Sequence, residues 1–540
     1  MSDAQHVKPS HCPAMICCLS ALTSWFRRVR ASRHAVAHAP VACALVFYAV
    51  LCPTVLSMPK SPYFDPSVFY AIFYQLSLGR RLYVDIFDNK DPLFFYVYGV
   101  FYWLLGVLGP MMCETLIGIG MLLVLNNLMR RMLLSAWMRA FALLFFVVLV
   151  YHASVYQALH TYHFSMLLLL LSIECAMAGR VALAGCALAL MTAAKMTMVP
   201  CCPAVGLYVL VHAMPDSFRS VLRAAAVLVG AYLLTLLLIG AFMFIRGELL
   251  GYGDAVRVNM FSAHMVAQWK CPIWATIHQV LTSQLVCMGA LLNATSIGIL
   301  VAAFMKLNSL ERASGAQPAA GVEVQQVRQM RAYAVLMVGL PVAVWFALIH
   351  TPMKGHHFPP VVMLFSLQCI GLLWYLCRYA SRLWTACAMV CLLLTMHAWC
   401  RSGLHVQTWS LARWRECIRV QAECEQRVAA IFTRYFGTTN VNYLCIGNCN
   451  GVLYAGMTPP HVRLASRLFF QIPVFTPLMS EFDHALTNTA TVLLFDGSSG
   501  YFTPMPEYQA KVEAVISNNF CRIEPMFGNP LYIRKQVGSQ

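Results

Sequence analysis

The sequence predicts a polytopic α-helical membrane protein carrying a small C-terminal α/β domain on the extracytoplasmic side. Three observations predict it. Of 540 residues, 60% are hydrophobic and 11% charged, where an ordinary globular chain has roughly 25% charged. About eleven apolar runs approach the ~20 residues that span a bilayer. After Arg401 the composition changes to amphipathic and strand-like segments. Mean hydropathy is +0.66. A soluble fold cannot hide this much apolar surface, which excludes a soluble enzyme, a disordered chain and a disulfide-dense module. The 22 Cys add little: most sit inside apolar runs, as do Cys186, Cys201, Cys202, Cys287 and Cys369, where a thiol is a small hydrophobe.

Residues 1–35 read as a basic cytoplasmic leader. Its apolar stretch is followed by Arg27, Arg28, Arg30 and Arg33, which is not the pattern of a cleavable signal. The core, 36–400, contains the runs 36–57, 111–129, 140–159, 164–179, 181–194, 197–214, 222–245, 273–305, 332–350, 359–377 and 383–400. Run 92–108 is also apolar and is assigned to a helix lying in the interface, within a first outside loop 58–110. With the amino terminus in the cytoplasm, the inside segments hold 17 Lys and Arg against nine outside before residue 401, as the positive-inside rule asks. A spanning 92–108 would move Arg130 and Arg131 outside and weaken that asymmetry. The net charge of +17 is thus a topology signal and gives no reason to expect nucleic acid. Asn308–Val327 reads as a cytoplasmic linker. In 401–540, an amphipathic helix is expected at 411–436, ended by Gly437. Strands are expected at Tyr443–Gly447, Thr491–Asp496 and Pro530–Arg534, and a helix at 506–518.

The acids carry the functional signal. Between residues 36 and 400 there are eleven, and four of them, Asp65, Asp85, Asp88 and Asp91, fall in the first outside loop. Carboxylates at a membrane face are costly and mark function. Asp65-Pro66 reads as a helix start. Phe69, Ile72, Phe73 and Leu76 then form one stripe that Gly79 closes. A second helix starts at Asp91-Pro92 and ends at Gly106. Asp85, Asp88 and Lys90 sit in the turn between them.

The stretch Gly79-Arg80-Arg81-Leu82-Tyr83-Val84-Asp85-Ile86-Phe87-Asp88-Asn89-Lys90-Asp91-Pro92-Leu93, with Asp65 at a juxtamembrane helix start, resembles the GT-C membrane glycosyltransferases. Within these it resembles the bacterial glycosyltransferase family 39, kin to protein O-mannosyltransferases and aminoarabinose transferases. Ala194-Lys195-Met196-Thr197, Lys354-Gly355-His356-His357-Phe358-Pro359-Pro360 and the C-terminal α/β segment are similar to further pieces of that family, and the interfacial placement of 92–108 also follows its layout. Three positions depart from it. Asp65-Pro66 stands where the family has Asp-Glu, Lys90-Asp91-Pro92 where it has Lys-Pro-Pro, and His160-Thr161-Tyr162-His163 where the second outside loop often carries an acid.

The resemblance implies transfer of a sugar from a polyprenyl phosphate, in the membrane lipid, to a glycan, lipid or protein acceptor at the outer face of the cell membrane. Such a reaction needs a base for the acceptor proton and cations for the phosphate leaving group. Asp65 is the candidate base. Asp85 and Asp88 are candidates to orient the acceptor or, as hard oxygen ligands, to bind Mg²⁺ or Mn²⁺. Lys90, Arg80 and Arg81, with Lys354, His356 and His357, are candidates for the donor phosphate. His160 and His163 form an H-x-x-H, half of a metal site with no third ligand in view, and stand with Asp88 as the metal candidates. The bland readings are a plain N-cap for Asp65, a solvated turn for Asp85 and Asp88, and snorkelling cations for the rest. Two rival functions stand beside the transferase: a transporter or lipid flippase, which usually places its charges at mid-membrane, and a catalytically silent scaffold.

Overall fold

The computed structural model describes residues 65–150 (87 and 89 excepted), 161–213, 217–261, 321–348, 359–379 and 382–403, with parts of 39–48 and 297–309. Toward the carboxyl end it describes 429–438, 441–446, 483–495, 506–526 and 529–535, with single residues at 419, 423, 426 and 480. Runs 36–57 and 273–305 and the helix 411–436 lie largely outside these residues.

The first loop folds as two short helices, α1 (Asp65–Ser77) and α2 (Pro92–Leu105), packed on each other. Phe69, Ile72 and Phe73 of the apolar stripe are buried against an aromatic face of α2. Ring centroids stand 5.2 Å apart for Phe69–Phe94, and Phe73 stacks on Tyr98 at 5.9 Å. Such pairs add ~0.5–1.5 kcal/mol each beyond burial. Gly79 ends α1 at φ +83, a backbone that costs glycine little. Gly106 ends α2 at φ +58.

The bundle follows as α3 (Gly109–Arg131), α4 (Ala136–Val150), α5 (Thr161–Met177), α6 (Val181–Ala194), α7 (Cys201–Ala213), α8 (Phe218–Ile245), α9 (Leu249–Phe261), α10 (Gly321–Leu348), α11 (Pro359–Tyr379) and α12 (Arg382–Gly403). Among the described residues three helical stretches, Gly109–Arg131, Met196–Ala213 and Phe218–Ile245, are long and apolar enough to cross a membrane. Helix α6 packs on α5 and α8, α3 on α5, and α7 on α10. Gly185 allows the α6–α8 approach, since a Cβ there would stand 2.4 Å from the Leu228 carbonyl oxygen. The run expected at 197–214 begins instead as a 3₁₀ turn, Met196–Met198, with helix only from Cys201; Pro200 and Pro203 supply no N–H to continue a longer helix.

The structure departs from the sequence reading at further points: helix α10 begins at Gly321, inside the stretch 308–327 expected as a linker. Leu249–Phe261, expected as outside loop, is helix α9. The strand Phe520–Met526 was not expected. Near the carboxyl end, β1 (Tyr443–Ile446), β2 (Val492–Phe495), β3 (Phe520–Met526) and β4 (Asn529–Arg534) form a four-stranded sheet in the order β1-β2-β4-β3, and helix α13 (Pro506–Asn519) leads into β3. Strands β1 and β2 are parallel and the other pairs antiparallel. Gly437, at φ +70, closes the helix before β1.

Candidate functional site

Four segments far apart in sequence meet at one end of the bundle: the loop after α1, the start of α5, the turn after α6, and the turn from α8 into α9. The Lys195 ammonium sits over the Tyr162 ring, 4.9 Å from its centroid. Asp91 accepts hydrogen bonds from the Met196 N–H and the Tyr252 hydroxyl, both at 2.9 Å. These are the segments that alternation of the spans assigns to one face. Far from them, Arg131 at the end of α3 donates to Glu174 near the end of α5 at 2.8–2.9 Å.

The N-terminal end of α2 lies at this cluster. Its first turn follows Asp91. Beyond its last turn, Glu114 of α3 meets His163 Nδ1 at 2.5 Å, one residue from Tyr162. A 14-residue helix is ~21 Å long, short of the ~30 Å hydrocarbon core.

The loop 80–91 is shaped by its own side chains. Asp85 accepts from the Arg81 N–H at 2.8 Å and pairs with the guanidinium at 3.4 Å. Its partial burial opposes ionisation, but the Arg81 bonds, helped by the charges of Arg81 and Arg80, win and hold the carboxyl below its ordinary range. Buried Asp88 accepts the Lys90 N–H at 2.8 Å, an Asx turn that fixes the backbone of the lysine. Tyr83 takes φ +63, rare for a bulky residue. It is fully buried, its hydroxyl donates to the Lys90 carbonyl at 2.5 Å, and its ring lies 5.3 Å from Tyr252.

The loop is docked onto α9 by two carboxylates that the sequence reading did not single out for this role. Asp91 does not cap its own helix; it bridges to Met196 and Tyr252 instead. Burial raises its carboxyl above the ordinary range, against the pull of Lys195, the Met196 N–H and the Tyr252 hydroxyl. Glu248, enclosed at the start of α9, accepts from the Leu82 N–H at 3.1 Å, from Arg246 Nε at 2.8 Å and from the Tyr96 hydroxyl. Burial pushes it up to about 7, opposed by the Leu82 bond and the charge of Arg81. Arg246 in turn faces the Tyr96 and Phe242 rings at 5.9 and 5.8 Å. Gly251 lets the loop come this close, because a Cβ there would stand 2.4 Å from the Tyr83 carbonyl oxygen.

The candidates named from sequence are therefore only partly assembled. Asp85, Asp88, Lys90, Arg80 and Arg81 belong to one loop. Helix α1 starts at Asp65, but its side chain lies outside the described residues, as do His160, Lys354, His356 and His357. His163 points into a buried group with Glu114, whose other oxygen accepts the Tyr98 hydroxyl at 2.5 Å. Among the described residues no three His, Cys, Asp or Glu side chains are grouped to hold a metal ion. Asp85 is engaged by Arg81 and Asp88 by the Lys90 N–H.

No family model and no curated protein matches the chain. Among solved structures, the chain is similar to ArnT from Cupriavidus metallidurans in the apo state, at 15% identity over 96% of this chain and 100% of that one, with a TM-score of 0.46. It is also similar to the Archaeoglobus fulgidus oligosaccharyltransferase in complex with Zn and sulfate, at 11% identity over 91% of this chain and 73% of that one, TM-score 0.44. A third similar structure is AglB from the same archaeon, bound to an inhibitory peptide and a dolichol-phosphate, at 10% identity over 92% and 74%, TM-score 0.44.

Proposed function

We propose that this protein is a membrane glycosyltransferase of the GT-C type that moves a sugar from a polyprenyl phosphate to an acceptor at the outer face of the cell membrane. The observation that carries the reading is the gathering of the Lys90 segment, the Lys195 turn and Arg246 at one end of an apolar bundle, where the Lys90 N–H bonds Asp88, the Met196 N–H bonds Asp91 and Arg246 pairs with Glu248. A lipid-linked phosphate sits at headgroup depth, so cations held there can take up the charge of the leaving group. The acceptor hydroxyl gives its proton to a carboxylate at the same depth as it attacks the anomeric carbon, and the lipid phosphate departs. Asp65, at the head of α1, is the proposed base. Asp85 and Asp88 orient the acceptor, and Lys90 with Arg80 and Arg81 receives the phosphate. Lys354, His356 and His357 are proposed to complete the donor site. The placement of the charges at one end rather than at mid-membrane weighs against a transporter.

The test supplies membranes containing the protein with radiolabelled polyprenyl-phosphate sugars and follows label into the acceptor fraction. Transfer is expected for the native protein, with Asp65→Asn slowed by ~10²–10⁴-fold. Full transfer by Asp65→Asn removes Asp65 as the base. No transfer from any donor, together with unchanged surface glycans in a deletion strain, overturns the function.

A further inference from the structure

Asp91 stands in the sequence between Pro92, where α2 begins, and Lys90. Its carboxylate is buried, and its two oxygens have different partners: Oδ2 takes the Met196 N–H and Oδ1 the Tyr252 hydroxyl, each at 2.9 Å. Met196 follows Lys195, which leaves the helical path at the end of α6 with φ −159 and ψ 97. One carboxylate thus ties together the strand of loop that carries Lys90, the turn that carries Lys195, and helix α9. The ties cross 105 and 161 residues of chain. The rest of the local structure supports the same seat. Tyr83 holds the Lys90 carbonyl at 2.5 Å and packs on Tyr252, and Asp88 holds the Lys90 N–H at 2.8 Å. The Lys195 ammonium rests over the Tyr162 ring. The Lys90 backbone is therefore fixed at both its N–H and its C=O, and the Lys195 turn at the N–H that follows it.

We propose that Asp91 is a positioning residue: by bonding the Met196 N–H and the Tyr252 hydroxyl together, it sets the spacing of Lys90 and Lys195 so that both ammonium groups meet one lipid-linked phosphate. The inference rests on the donor class proposed above. It adds that the cation pair is built by a carboxylate that itself touches no substrate. The amide of Asp91→Asn keeps the shape and can still accept the Met196 N–H with its oxygen and donate to the Tyr252 oxygen with its nitrogen. Asp91→Ala removes both ties. Geometry and charge therefore separate in the two variants.

The experiment measures binding of undecaprenyl phosphate, without sugar, to the full-length protein in nanodiscs. It uses the native chain, Asp91→Asn, Asp91→Ala, Lys90→Met and the double variant Asp91→Ala/Lys90→Met. A charge-assisted tie lost at a seat like this weakens binding ~10- to 100-fold. Asp91→Ala is expected to lose that much, while Asp91→Asn stays within ~5-fold of the native chain. The double variant is expected to bind little worse than Asp91→Ala alone, because Lys90 is already misplaced. If the Lys90→Met loss is undiminished in the Asp91→Ala background, Asp91 serves the fold only and the proposal fails. It also fails if Asp91→Ala binds as the native chain does. If the native chain binds no polyprenyl phosphate, the proposed function falls, and this inference with it.

Discussion

Replacing Gly251 by alanine tests whether the first loop is seated on α9. The added Cβ would stand 2.4 Å from the Tyr83 carbonyl oxygen and 2.8 Å from the Tyr83 Cβ. An ordinary contact begins near 3.4 Å, and both obstacles are close to backbone that already sits at φ +63. The loop must therefore retreat by about 1 Å. The Leu82 N–H to Glu248 bond starts at 3.1 Å, so that retreat takes it out of hydrogen-bonding range. Overpacking costs ~1–3 kcal/mol, and a lost hydrogen bond to a charged group ~1.5–3 kcal/mol. The helix propensity gained from Gly→Ala returns only ~0.5–1 kcal/mol. The net expectation is a loss of about 2–5 kcal/mol, read as a drop of several degrees in the thermal unfolding of purified protein in detergent. At Gly253, two residues on, an added Cβ would meet nothing within 4 Å, so Gly253→Ala is the matched control and is expected to be neutral or slightly stabilising. Sugar transfer should fall with Gly251→Ala by as much as ~10²-fold, since a 1 Å displacement of a positioned cation is enough for that. If Gly251→Ala unfolds no lower than Gly253→Ala and transfers sugar at the native rate, the loop does not depend on α9 and the reasoning is wrong.

Three further outcomes are expected. Glu248 is pushed from 4.5 up to about 7, so between those values the folded chain binds the proton more tightly than the unfolded one; stability should fall as the pH rises through that window and level off above it. Thermal unfolding from pH 4 to pH 8 reads this slope, and Glu248→Gln should make it shallower, leaving the part that Asp91, also raised by burial, contributes; a slope unchanged in Glu248→Gln would refute the assignment. Breaking the buried Glu114–His163 contact from one side, by Glu114→Leu or His163→Leu, should cost ~1–3 kcal/mol for the polar groups left without their partner, while the double replacement costs less than the sum of the two; unfolding of the three variants in detergent decides this, and additive losses would refute it. Asp85→Asn removes a largely solvent-facing ion pair with Arg81, worth under ~1 kcal/mol, so its unfolding should be nearly native while transfer is lost; native transfer would leave Asp85 as a loop pin alone.

Local signals in the chain were readable and distant ones were not. The stripe Phe69–Ile72–Phe73 follows from the period and stands in α1, and the stop expected at Gly79 comes just past its end, at φ +83. Run 181–194 coincides with α6, because no proline or charge interrupts it. Helix α9 was not legible: its sequence LLGYGDAVRVNMF has two glycines and a charged pair, and Gly251 is explained by its neighbour Tyr83 rather than by helix propensity. Strand β3 was hidden by Pro525, which sits where the register shifts between Arg522 and Pro525. The roles of Asp91 and Glu248 were invisible for a related reason. A reading along the chain sees Asp91 as a helix cap beside Pro92. Its actual partners lie 105 and 161 residues away, and the Leu82 bond to Glu248 spans 166.

That contrast sharpens what the acids at this end of the bundle can do. A general base needs an oxygen free to approach the acceptor hydroxyl. Asp91 spends one oxygen on Met196 and the other on Tyr252. Glu248 spends one on Leu82 and Arg246 and the other on Tyr96. Taking a proton would require either to surrender bonds that hold the loop in place, so both are suited to holding geometry. Asp85 is occupied by Arg81 from two directions. The proposed assignment of the base to Asp65 thus has a comparative consequence. Asp65→Asn should slow turnover ~10²–10⁴-fold while donor binding stays native. Asp91→Ala should weaken donor binding first, and its turnover at saturating donor should stay closer to native than that of Asp65→Asn. The opposite pattern, with Asp91→Ala losing turnover at native donor affinity, would make Asp91 the proton acceptor and reverse the assignment.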